Sequence, residues 1–146
     1  MCQLTFTAEW TLPDYTTAED HGGHDFEWCE DVQELAEDLR GAEEGTCFEA
    51  LHHLLGHAQP IQNDMRLECQ LASHGLYCGD PSSYENPRVK LLEAGVTDWR
   101  LLLQVDADEQ GPGWMWGDCG RVYYWMRAED IRQQAWYTAW LVLQCS

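Results

Sequence analysis

The chain is short of positive charge, of long apolar runs and of paired cysteines, and each shortage closes off a class of function. Its 146 residues hold one lysine, Lys90, and seven arginines against 26 acidic side chains, for a formal net charge of −18. So acidic a chain is repelled by phosphate backbones, which argues against nucleic acid as a partner. With a single lysine and no glycine-rich phosphate loop, phosphoryl transfer and Schiff-base chemistry are poorly supplied. No apolar run approaches the roughly 18–20 residues that a membrane span needs. The opening MCQLTFTAEW has neither the basic region nor the long apolar region of a secretory signal. No GxSxG elbow presents a serine nucleophile. The seven cysteines are odd in number and include no CxxC pair, which fits reduced thiols in a cytoplasmic protein better than a disulfide framework.

What is present is unevenly placed. Residues 1–50 carry 14 acidic side chains against one basic residue, Arg40, whereas residues 51–146 carry 12 against seven. Such a surface attracts a basic partner and speeds the encounter. The plainer reading is charge that only keeps the protein soluble. The length suits a single domain spanning residues 1–146.

The pattern along the chain is that of an α+β fold. Leu4, Phe6, Ala8 and Trp10 alternate with polar residues, which predicts a half-buried strand and order from the first residues onward. Residues 13–26 read as a loop. Trp28, Val32, Leu35, Ala36 and Leu39 recur at helical spacing over residues 27–40, with Gly41 just beyond and an acidic outer face. A short helix is predicted over Phe48–Leu55, ended by Gly56. A second lies over residues 64–74, where Asp64 and Gly75 supply the caps although Met65, Leu67, Cys69 and Leu71 also alternate like a strand. A third starts at Asn86 and Pro87 and stops at Gly95. Then come a strand over Asp98–Val105, a loop to Gly120, a strand over Arg121–Arg127, a short helix over Glu129–Ala135 and a last strand over Thr138–Cys145. The unbroken apolar runs Leu101–Leu103 and Leu141–Leu143 predict strands covered on both faces. The sheet is expected to be antiparallel or mixed, ending in a β-hairpin, a short helix and a final strand.

Four groups of residues have the composition of a site. Asp106, Asp108 and Asp118 in the long loop would suit Mg²⁺ or Ca²⁺ if they converged, although the EF-hand pattern fails at its fifth and twelfth positions, Gln110 and Gly117. His52, His53 and His57 cluster, but Leu54 stands where a zincin needs glutamate. Cys78 with His74 four residues upstream is a conceivable nucleophile and base, against the commoner buried thiol. Finally, GPGWMWGDCGRVYYWM, residues 111–126, combines four glycines with Trp114, Trp116, Tyr123, Trp125 and Asp118. These aromatics either close the end of a core or form a binding surface. No catalytic residue is assigned and no cofactor is implied.

The segments HHLLGHAQPIQNDMRLECQLASHGLYCGD (52–80), DWRLLLQVDADEQGPGWMWGDCGRVYYWMRAEDI (98–131) and AWLVLQCS (139–146) resemble the C-terminal half of the YwqG family, a largely bacterial family of unknown biochemical function. LTFTAEWTLPD (4–14) resembles it too. Family members are typically longer at the N-terminus. The resemblance implies either an independent domain or a half that lacks a surface partner supplied in cis by the longer proteins; in the second case the predicted Leu4–Trp10 strand is an exposed edge able to pair with a second copy in a homodimer. It implies no established enzyme. Related eukaryotic proteins act as dedicated chaperones for a ribosomal protein, and some bacterial members are linked with toxin–immunity neighbourhoods. The resemblance thus implies a protein-binding role, chaperone-like or immunity-like, toward a basic client. The alternative is a metal-dependent enzyme or small-ligand binder using Asp106, Asp108 and Asp118.

Overall fold

The computed structural model describes residues 5–8, 10, 11 and 51–145. The helix expected over residues 27–40 and the loop over 13–26 lie outside them.

Four strands form one antiparallel sheet in chain order: β1 (His53–Leu54), β2 (Trp99–Asp106), β3 (Arg121–Arg127) and β4 (Trp140–Gln144). β2 and β3 are the predicted hairpin. Trp99 lies opposite Arg127 and Asp106 opposite Arg121, with a bulge between Leu101 and Leu103. Helices α1 (Arg66–Ser73), α2 (Val89–Leu92) and α3 (Ala128–Arg132) are short.

α1 forms where its caps ask for it. The Asp64 carboxylate accepts the Arg66 N–H at 3.0 Å. At the other end Gly75 takes φ +80°, and the N–H groups of Gly75 and Leu76 donate to Ala72 and Leu71. That is a Schellman ending, and its apolar contact is made by Leu71 and Leu76, both buried in one cluster with Val89. The opposite side of α1 places Met65 and Cys69 on the sheet, where they meet Trp99, Leu101, Tyr123, Trp125 and Val142. Removing side chains of this size from water stabilises the fold by roughly 1.5–3 kcal/mol each. α1 thus settles the choice between helix and strand: alternation over four residues yields to two good caps and a face to bury.

Four expectations are corrected. Among the described residues, Thr5–Ala8 carry no strand, and Phe6 is 80 % and Trp10 99 % exposed. The edge pairing expected of Leu4–Trp10 therefore has no basis in them, because alternation alone supplies no partner strand. The predicted helix ending at Gly56 is replaced in its described part by β1, which pairs His53 with Gln104 and Leu54 with Leu103. Leu55 and Gly56 both take positive φ, so the chain turns away there. The helix after Pro87 is a single turn, α2, followed by a 3-10 stretch over Glu93–Asp98 that contains Gly95. Gly95 does not end a helix: a Cβ there would strike the Gln70 amide. Finally, β4 is the last strand in the sheet and is covered on one face only. Val142 is buried, whereas Leu141 and Leu143 are 52 % and 47 % exposed.

Three buried glutamines hold the irregular parts. Gln104 Oε1 accepts the Gln59 N–H and its Nε2 donates to the Leu51 carbonyl. Gln144 Oε1 accepts the N–H groups of Ile61 and Gln62, and its Nε2 donates to the Asn63 carbonyl. Gln70 Oε1 accepts from Trp99 Nε1 and Arg127, while its Nε2 donates to the Leu92 carbonyl. Residues 55–64 run across the sheet without a ladder of their own, so the Gln104 and Gln144 amides replace missing strand partners there. Gln104→Leu keeps the volume but leaves a buried donor and acceptor unpaired. It is expected to lower unfolding free energy by about 2–4 kcal/mol with unchanged urea m-value, measured by chemical denaturation.

Candidate functional site

The site grows from the end of the β2–β3 hairpin. Asp106 closes β2 opposite Arg121, the first residue of β3. Its Oδ2 accepts from Arg121 Nη2 at 2.8 Å and from the Leu51 N–H at 3.0 Å, and its Oδ1 accepts the Ala107 N–H. The Asp106 N–H donates to His52 Nδ1 at 3.0 Å, which places the neutral ring's proton on Nε2. The Asp106 carbonyl accepts from Trp116 Nε1 at 3.0 Å. One buried aspartate therefore fixes an arginine, a histidine, a tryptophan and the chain leading into β1. Arg121 also donates to the Gln59 carbonyl, as does the Tyr123 hydroxyl.

Beyond Asp106 the loop folds on itself. Asp108 and Trp114 exchange two backbone hydrogen bonds at 2.8 and 2.9 Å, making a miniature hairpin. The Asp108 carboxylate accepts the Gly111 N–H at 2.7 Å and faces His52 Nε2 at 3.5 Å. The His52 ring meets Trp114 edge-on at 5.8 Å, and Trp114 lies 6.1 Å from Trp116. The return to β3 depends on Gly120: a Cβ there would come within 2.5 Å of the Trp116 carbonyl oxygen and 2.6 Å of that of Gln144. At Gly117, φ is +58°, the left-handed turn that glycine takes without strain.

The predicted site residues separate into three groups. Trp114, Met115 and Asp118 are exposed at the tip, with Trp116 half-buried behind them. Tyr123 is fully buried and Trp125 nearly so, both in the core cluster. As a protein-facing surface this pair is corrected, because their side of β3 is covered by α1. Of the three aspartates, Asp106 is taken up by Arg121 and backbone donors, Asp108 by Gly111 and His52. Among the described residues no three His, Cys, Asp or Glu side chains are arranged to hold a metal ion.

The other two groups are also dispersed. His53 Nε2–H donates to the His57 carbonyl, while His52 serves the hairpin. His74 Nδ1–H donates to the Gln70 carbonyl, and the Cys78 thiol points at the carbonyls of Leu76 and Glu68. Burial pushes the Cys78 thiol up, opposite to the shift that makes a thiolate nucleophile. His52 and Arg121 belong to the site but were not singled out as a pair with Asp106. In the sequence His52 shows only as one of three clustered histidines, and Arg121 only as the first residue of a predicted strand.

With this fold and site in view, the chain is an antiparallel α+β protein whose most elaborate feature is a braced acidic hairpin tip. One family model, described as a domain of unknown function (DUF1963), matches residues 2–145, and the chain belongs to that family. No curated protein matches it.

Two outcomes test the geometry. Arg121→Gln strands the buried Asp106 carboxylate and is expected to cost about 3–5 kcal/mol. Adding Asp106→Asn should recover part of that loss, so a double-mutant cycle by denaturation should give a clear coupling. The Gly111 N–H, then His52, holds the Asp108 carboxyl below its ordinary value, against some desolvation. A depressed folded pKa means stabilisation that is complete above the ordinary aspartate value and is lost as pH falls through the lower folded value. The Gly111 amide resonance should therefore titrate with a midpoint below about 3.9; a midpoint at or above that value would contradict the loop geometry.

Proposed function

We propose that this protein is a binding module that takes a basic protein segment on the β2–β3 hairpin tip, in the manner of a chaperone or immunity protein. The reading rests on one observation. Between Asp106 and Gly120 there are four acidic residues and no basic one, and beside them Trp114 and Met115 are exposed. Elsewhere among the described residues the cations are largely engaged: Arg66 with Asp64, Arg121 with Asp106, Arg132 with Glu129, and Arg127 over the Trp99 ring at 4.8 Å.

The tip offers a partner two attractions. Glu109 and Asp118 have no cation of their own among the described residues, and an exposed indole face accepts a lysine or arginine as well as apolar area. The bracing from Asp106, His52 and Gly120 presents both in a fixed shape, which reduces the ordering cost of binding. The acidic excess of the whole chain favours the same class of partner. The YwqG-like resemblance also points to a protein client. Trp114, Trp116 and Asp118 carry the contact in this reading.

The test is a pull-down of basic proteins from host lysate at low and high salt, repeated with Trp114→Ala. Capture is expected to weaken several-fold at high salt, because exposed charge pairs are screened. Trp114→Ala should lose a further tenfold or so, while its unfolding midpoint stays near that of the parent. Capture that ignores both salt and Trp114 would overturn the proposal.

A further inference from the structure

On the helix-covered side of the sheet, away from the hairpin tip, lies an open groove of about 320 Å³. Its walls include Trp99, Leu101 and Trp125 from β2 and β3, Met65 at the start of α1, and Pro60 from the irregular segment. This is the low end of the range for small-molecule sites, with the usual mix of aromatic walls and a few polar groups.

One polar group in the lining lacks a counterpart. Trp125 is 5 % exposed, and its Nε1–H is a buried donor with no acceptor. The other buried indole beside it, Trp99, donates to Gln70. An indole nitrogen can only donate, so the missing partner must be an acceptor.

We infer that this groove binds a small aromatic ligand carrying an oxygen acceptor, such as a carboxylate, its hydrocarbon body against Trp99 and Trp125 and an oxygen accepting the Trp125 N–H. The apolar walls supply burial. The hydrogen bond supplies orientation, and it is stronger here than in water because the Trp125 N–H is already desolvated. The inference is independent of the hairpin tip and of any protein client.

The experiment follows the indole N–H resonances of the full-length ¹⁵N-labelled chain, with Trp125 assigned through Trp125→Phe. The probe is 4-methylbenzoate, and toluene is the control without an acceptor. The expected result is a saturable downfield movement of the Trp125 signal with 4-methylbenzoate only, leaving the Trp114 signal in place. Trp125→Phe should weaken binding, followed through other groove resonances, by about tenfold or more. Where Trp125→Phe fails to fold, Ala58→Leu, which narrows the groove, should abolish the movement. A Trp125 signal that does not move, that moves equally with toluene, or that still saturates in Ala58→Leu would overturn the inference.

Discussion

The structure depends on side-chain amides that stand in for backbone partners. Between Leu55 and Asp64 the chain crosses the sheet without strand or helix, so its N–H and C=O groups have no ladder to join. Gln144, buried in β4, meets two donors and an acceptor of this crossing at once, and Gln104, buried in β2, accepts from Gln59 within it while donating to Leu51 ahead of β1. An amide is a neutral, planar side chain that donates and accepts through the same kind of group as the peptide itself. It can therefore replace a peptide unit at no charge cost. Gln70 repeats the device on the helix side, where it ties Trp99, Arg127 and the end of α2 together. Close approach follows, and Gly95 is the position that allows it.

From that frame the hairpin tip inherits its shape. The pairing of β1 with β2 brings Leu51 and His52, just ahead of β1, to the end of β2, and there Asp106 gathers them with Arg121 and Trp116. The buried ion pair is shielded at both members, with side-chain exposures of 13 % for Arg121 and 12 % for Asp106. It is held by geometry rather than by net electrostatic gain, since desolvation offsets much of the attraction. Its consequence is specificity of position. A slip of β2 against β3 would break the Asp106–Arg121 pair, and the five hydrogen bonds on Asp106 together brace the base beneath Trp114 and Asp118.

Much of the fold was legible in the sequence. β3 falls where it was predicted, and β2 and β4 lie within one or two residues of their predictions, because turn-forming residues flank apolar runs there. α1 followed from its two caps. The failures share a cause. The alternation of Leu4–Trp10, the helical look of the segment before Gly56 and the Pro87–Gly95 signature are local patterns. Each was overridden or left without a partner when distant residues claimed the backbone. The site divides similarly. The acidic, aromatic loop is visible as composition. That Tyr123 and Trp125 turn inward while Trp114 stays outside is set by α1 lying on one face of β3.

The sequence by itself determined the acidic character, the class of fold and the hairpin, since charge, period and turn chemistry are properties of neighbouring residues. Only the tertiary structure decided that two glutamines would stand in for strand partners and that Asp106 would meet His52 and Arg121 rather than two other aspartates. It also decided that Trp125 would be left with a donor and no acceptor. Those outcomes depend on contacts between residues up to 83 positions apart, and no local pattern specifies which distant group will arrive.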